Sequence, residues 1–181
     1  MRRVSVVGNA GSGKTTLGRA LADRLGVSFV ELDSVFHQPG WRPLPVDEFR
    51  RRVEELVAGD GWVMDGNYSA VRDLVWARAD TVVWLDLPRR TVMWQVVSRT
   101  LRRTLTRVEL WNGNREPLAG LFRLDPERSI IRWAWLKHDV YSDRFAAAAR
   151  DPAFGHLSFV RVGSRRDAAA LIAEFDPRNR A

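Results

Sequence analysis

The sequence predicts an α/β fold in which five parallel strands form one sheet with helices on both faces. Two observations carry that prediction. Short runs rich in β-branched and aromatic residues alternate with stretches of helical periodicity along nearly the whole chain, and such alternation builds parallel sheets through right-handed crossovers. The first strand also runs into the first helix through a glycine-rich loop.

Val4-Ser5-Val6-Val7 is the first strand and Leu17 to Leu25 the first helix. Ser28 to Leu32 reads as the second strand, ending at Asp33. Pro39, Gly40, Pro43 and Pro45 make the connection that follows irregular. Phe49, Val53, Leu56 and Val57 recur at helical spacing, with Arg50, Arg51, Arg52, Glu54 and Glu55 facing water. Trp62-Val63-Met64 is a third strand, ending at Asp65-Gly66-Asn67, and a short helical piece covers about Ala70 to Ala77. Thr81 to Leu85 is the fourth strand, closed by Asp86-Leu87-Pro88. A long helix from about Arg90 to Val108 would bury Met93, Val97, Leu101, Leu105 and Val108. Asn112-Gly113-Asn114, Pro117 and Gly120 mark residues 109 to 125 as an insert. A further helix spans roughly Pro126 to Ala149, followed by a fifth strand at Leu157 to Val162, a closing helix at Arg166 to Phe175, and a frayed tail from Asp176. No internal repeat or interdomain linker is evident, so residues 1–181 read as a single domain, a size that supports a full core.

The loop after the first strand carries the chemistry. Gly8-Asn9-Ala10-Gly11-Ser12-Gly13-Lys14-Thr15 fits G-x-x-x-x-G-K-[ST], and Thr16 follows it. In the strand–loop–helix context, such glycines let backbone N–H groups turn inward around a polyphosphate, and the helix N-terminus adds partial positive charge. Lys14 would reach the β- and γ-phosphates of ATP, and the Thr15 hydroxyl would bind Mg²⁺.

Composition bounds the rest. There are no cysteines, so disulfides and thiolate metal sites are excluded. No apolar run approaches membrane-spanning length, and the chain enters a strand at once, with no room for a signal peptide; a cytoplasmic enzyme is expected. The net charge is +7, with 27 arginines against two lysines. A basic surface suits nucleic-acid contact or the clamping of phosphates. Here arginines crowd one stretch, Arg89 to Arg115, and no nucleic-acid-binding motif accompanies them. The sequence leaves the oligomeric state open.

The phosphate loop, an Asp ending the third strand and an arginine-rich insert after the fourth resemble the adenylate-kinase-like P-loop kinases. Leu32-Asp33, Gly40-Trp41, Trp62-Val63-Met64-Asp65-Gly66-Asn67-Tyr68 and Trp84-Leu85-Asp86-Leu87-Pro88 are most similar to a bacterial branch called DNA topology modulation (FlaR-like) proteins. That resemblance implies a P-loop NTPase fold with a lid insert after strand four. Adenylate kinase has Phe-Pro-Arg after the strand-three Asp-Gly, where this chain has Asn67-Tyr68, which argues against AMP as acceptor. An Asp ending strand two looks more like the shikimate- and gluconate-kinase relatives, where it faces an acceptor hydroxyl.

These readings converge on a Mg²⁺-dependent kinase that moves the γ-phosphate of ATP to an unidentified small molecule. Asp65 would serve the metal with Thr15. Asp33 would orient or deprotonate the acceptor hydroxyl, with His37, Trp41, Asn67 and Arg132 around the acceptor. Arg99, Arg103 and Arg107 recur at i, i+4 and i+8 and would face the transferring phosphoryl from the lid side, opposite the apolar stripe; Arg128 and Arg132 form a second such pair. Trp111 to Glu116 is too polar to be filler and is assigned to acceptor binding or a hinge. A nucleic-acid-associated regulator and an NTPase switch without an acceptor are the alternatives.

Overall fold

The computed structural model describes residues 1–106, 109–114 and 129–175. The main sheet contains β1 (Arg3–Gly8), β2 (Ser28–Glu31), β5 (Trp62–Asp65), β6 (Thr81–Leu85) and β7 (Ser158–Val162), all parallel in the order β2-β5-β1-β6-β7. Its central strand β1 therefore delivers the phosphate loop to the middle of the carboxyl edge, where ligands bind in open α/β sheets.

Alternation along β1 sorts the core into two layers. Val4 and Val6 pack with Leu17 and Leu21 of α1 (Lys14–Leu25) and Leu171 of α7 (Arg165–Glu174). Val7 faces the other layer, with Phe49, Val53 and Val57 of α3 (Val46–Val57), Val75 and Trp76 of α4 (Arg72–Arg78) and Phe145 of α6 (Ile130–Ala148). The irregular connection after β2 contains α2 (Leu32–Phe36) and a two-residue antiparallel ladder, β3 (His37–Gln38) with β4 (Arg42–Pro43). Leu56, expected inside, is exposed, because the buried side of α3 is Phe49, Val53 and Val57.

The long helix α5 spans Arg89–Thr106 and differs from expectation in which side it buries. Leu101 and Leu105 are exposed, at 45% and 80%, whereas Val92, Val96, Thr100 and Thr104 are buried. One residue of offset rotates a helix by about 100°, and tertiary contacts settle the choice: Val92 and Val96 pack on Leu87, Ala10 of the phosphate loop and Ala134 of α6. Two apolar β-branched side chains fit the close approach to the loop, and the leucines were left outside. Arg99 and Arg103 consequently lie beside the buried arc rather than opposite it, each half-buried. Arg107, Val108, Arg115, Arg128, most of the expected insert (115–125) and the tail from Asp176 lie outside the described residues. No helix among the described residues is long and apolar enough to cross a membrane.

Candidate active site

The phosphate loop takes its shape from three glycines with positive φ: Gly8 at 143°, Gly11 at 76° and Gly13 at 94°. At Gly11 the requirement is also steric, since an added Cβ would lie 2.1 Å from the Val96 Cγ2. Asn9 ties the loop down: its Nδ2 donates to the Ala134 carbonyl at 2.6 Å and its Oδ1 accepts the Ala10 N–H at 2.8 Å. Lys14 folds over the loop, its Nζ donating to the Asn9 carbonyl at 3.0 Å. Ser12 is buried, whereas Gly11 and Lys14 are half-open and Gly13 exposed, so the loop's mouth faces solvent.

Asp65, the last residue of β5, accepts a hydrogen bond from the Thr15 hydroxyl at 2.6 Å and is 7% exposed. Burial pushes its carboxyl above the ordinary range, against the pull of the Lys14 charge and the Thr15 hydrogen bond. A hydroxyl and a carboxylate side by side are hard oxygen donors. Among the described residues no group of three His, Cys, Asp or Glu side chains is placed to hold a metal. That donor set fits Mg²⁺, which is commonly held by one or two protein oxygens, phosphate oxygens and water rather than by an all-protein cage.

The turn after β5 connects this half of the site to the next. Asn67 bonds both backbone groups of Gly8, accepting its N–H and donating to its carbonyl. Tyr68 donates from its hydroxyl to the Asp33 Oδ1 at 2.6 Å, and its oxygen lies 3.4 Å from the His37 Nε2. Burial and the neighbouring Asp33 charge both push the Tyr68 phenol well above its ordinary value, so it stays protonated. Asp33 sits in the first turn of α2 rather than at the end of the second strand, which stops at Glu31.

Trp111 to Asn114, unassigned to any one role by its sequence, forms a clasp on the β2–β4 segment. The Trp111 indole N–H donates to the Glu31 Oε2 at 2.6 Å, and Glu31 also pairs with Arg19. Asn112 donates to the carbonyls of Ser34 and His37, at 3.0 and 2.6 Å. Asn114, 3% exposed, donates to the Gln38 carbonyl at 3.0 Å and accepts the Trp41 N–H at 2.9 Å. The His37 ring is stacked against Trp111 with centroids 6.3 Å apart and meets Trp41 edge-on at 5.3 Å. Asn112, Gly113 and Trp41 all adopt positive φ, so both partners of the clasp are tightly turned.

The structure thus brings Lys14, Thr15, Asp65 and Asn67 together, and Asp33, His37 and Trp41 together, on one edge of the sheet. Arg132 is exposed on α6. Trp135 and Asp139, further along α6, are engaged by Arg89, which pairs with Asp139 and lies 4.8 Å over the Trp135 ring. Tyr68 and Glu31 were given no role by sequence, and Asn114 only as part of the Trp111 to Glu116 segment; for Tyr68, its position within Asp-Gly-Asn-Tyr was the available signal.

Residues 10–43, which hold most of the phosphate loop, Asp33, His37 and Trp41, match the model of the shikimate kinase family. A shikimate kinase from Symbiobacterium thermophilum is 30% identical, and the alignment covers 94% of this chain and 92% of that enzyme. The chain belongs to the shikimate kinase family. A shikimate kinase from Mycobacterium avium is likewise 30% identical, over 92% of this chain and 87% of the relative. Among solved structures, a shikimate kinase from Acinetobacter baumannii in complex with shikimate superposes with a TM-score of 0.55 at 18% identity, covering 96% of this chain and 90% of that one. A gluconokinase from Sinorhizobium meliloti superposes at 0.52 with 19% identity, covering 99% and 95%. Family membership makes the chain a P-loop phosphotransferase of the adenylate-kinase-like superfamily, a small-molecule kinase.

Proposed function

We propose that this kinase transfers the γ-phosphoryl group of Mg·ATP to a hydroxyl of a small polyhydroxylated acceptor, with shikimate the first to test. The reading is carried by one arrangement: Asp65 on Thr15 of the phosphate loop and Asp33 beside the same turn, two carboxylates on one sheet edge with different neighbours. Thr15 and Asp65 are the residues that would hold Mg²⁺, which supplies charge neutralisation at the phosphates. Lys14 exchanges its bond to the Asn9 carbonyl for phosphate oxygens. Arg99 and Arg103 meet the transferring phosphoryl from α5, and Asp33 takes the proton of the acceptor hydroxyl. His37, Trp41 and Asn67 form the acceptor's surroundings. Within the adenylate-kinase-like superfamily, Asp65-Gly66-Asn67-Tyr68 and Gly40-Trp41 are the residues that support a place in the branch named for DNA topology modulation, taken as a kinase branch.

The test is acceptor-dependent ADP release with Mg·ATP and, in turn, shikimate, gluconate, neutral sugars and aminocyclitols. Turnover with an acceptor should exceed background hydrolysis by about 10²-fold or more. Asp65→Asn should weaken the Mg²⁺ dependence of every reaction, whereas Asp33→Asn should suppress only the acceptor-stimulated part. A panel that never lifts turnover above hydrolysis would remove the kinase reading.

A further inference from the structure

The segment Asp65–Tyr68 touches both halves of the site within four residues. Asp65 reaches Thr15, Asn67 reaches Gly8, and Tyr68 reaches Asp33. Gly66 between them has φ 153°, and a Cβ there would lie 2.8 Å from the Leu32 Cβ. Only glycine lets the turn approach α2 this closely, and the approach brings the Tyr68 hydroxyl to Asp33.

We propose that Tyr68 is a positioning residue for phosphoryl transfer: its hydroxyl occupies Oδ1 of Asp33, so that Oδ2 alone is presented to the acceptor hydroxyl. This rests on the kinase reading above. The phenol has one proton, and that proton goes to Asp33, so its oxygen can only accept from the His37 Nε2–H on its other side. The ring itself is fixed, with centroids 4.8 Å from Phe36 and 5.2 Å from Phe49. A carboxylate that would otherwise rotate is held in one orientation by a side chain with little freedom of its own. In the transfer step the acceptor hydroxyl gives its proton to Asp33 Oδ2 as its oxygen bonds to the γ-phosphorus. The bond from that phosphorus to the β–γ bridging oxygen breaks, and ADP leaves with the electron pair. Because the same turn grips Gly8, the distance between the acceptor's base and the phosphate loop is set by four consecutive residues.

Two measurements test this. The first is alkaline titration of tyrosine absorbance in the wild-type protein, Tyr68→Phe and Asp33→Asn, the Tyr68 step being the one missing from Tyr68→Phe. Replacing the Asp33 carboxylate by an amide removes the negative charge that holds the phenol protonated and leaves only a neutral, weaker acceptor for its hydrogen bond, so the step should move to lower pH in Asp33→Asn. The second is steady-state kinetics: Tyr68→Phe should lower kcat with acceptor about tenfold while the Kd for Mg·ATP stays within about twofold. A titration step that does not move in Asp33→Asn overturns the hydrogen bond whatever the turnover. Wild-type kcat in Tyr68→Phe, with acceptor turnover intact in the parent enzyme, overturns the positioning role and leaves the kinase reading standing. A parent enzyme without acceptor turnover overturns both, even if the step moves.

Discussion

Asn67 spans the backbone of Gly8, its Oδ1 accepting the glycine N–H at 3.1 Å and its Nδ2 donating to the glycine carbonyl at 2.5 Å. The first residue of the phosphate loop is therefore held by a side chain from the neighbouring strand's exit, through both of its polar groups. Asn67→Ala strips both bonds and should cost about 1–3 kcal/mol of stability, with Mg·ATP affinity falling roughly tenfold as the loop loses its fixed start. Asn67→Asp keeps the acceptor but turns a carboxylate toward the Gly8 carbonyl, and should be worse than alanine. Thermal melts and nucleotide titration of both variants check the order; unchanged affinity in Asn67→Ala would mean that the loop keeps its shape unaided.

Asp65 should oppose stability while serving function. Burial raises its folded-state pKa above the unfolded value, so the folded chain binds this proton more tightly. The resulting stabilisation is complete below the unfolded pKa and is lost as pH rises through the folded one. The ionised carboxylate is held less favourably in this buried site than in the unfolded chain. Asp65→Asn keeps an oxygen that accepts from Thr15 and removes the charge. In metal-free protein at pH 7 its Tm should rise, while phosphoryl transfer falls together with its Mg²⁺ dependence. The Tm gain should shrink as pH falls toward the unfolded carboxylate range. A variant less stable than the parent at every pH would contradict the cost assigned to burial.

The clasp should couple residues 109–114 to the acceptor side rather than to the nucleotide. Asn114 is buried and serves the Gln38 carbonyl and the Trp41 N–H at once, so Asn114→Ala leaves two backbone groups short of a partner. The expected result is a rise in the acceptor KM of about tenfold, with the Kd for Mg·ATP unchanged. Hydrogen exchange at the Trp41 amide offers an independent reading, since its protection should fall in the variant. Equal losses for acceptor and nucleotide would place the clasp's effect on the fold as a whole.

Which features were legible in the sequence follows from the range of the forces involved. The phosphate loop, the five strands and Asp65 at a strand end depend on local spacing, and the structure has them where the residues imply. Lys14, Thr15 and Asp65 could be named because the loop and a strand end specify their places, whereas Asp33 was read as a strand end and lies in the first turn of α2. The burial of α5 was misjudged because two ladders one residue apart were both plausible, and contact with Gly11 and Ala134, far away in sequence, decides between them. The Trp111–Asn114 clasp was recognisable as unusual, yet its partners Glu31, Ser34, His37, Gln38 and Trp41 lie about 70–80 residues away. Nothing in a local pattern points across that distance. Tyr68 belongs to the same class, since only the close approach of Gly66 to Leu32 reveals that it reaches Asp33.

The packing of α5 on the phosphate loop yields the sharpest test of the fold's connection to function. Gly11 combines a positive φ of 76° with a neighbour, Val96, that would meet an added Cβ at 2.1 Å. Gly11→Ala therefore carries two separable penalties: backbone strain of about 1–2 kcal/mol, and a clash that must move α5 or the loop. Val96→Ala removes the clashing methyl groups and alone should cost about 1–2.5 kcal/mol, as loss of a buried Val side chain does. If the clash dominates, Gly11→Ala with Val96→Ala will be more stable than the sum of the two single changes predicts, by about 1 kcal/mol or more, and will recover part of the nucleotide affinity lost in Gly11→Ala. If strain dominates, the two losses will add and affinity will stay low. Denaturant melts of the four proteins and Mg·ATP titrations separate these outcomes. Strict additivity together with normal nucleotide binding in Gly11→Ala would mean that α5 and the phosphate loop do not meet as the structure has them.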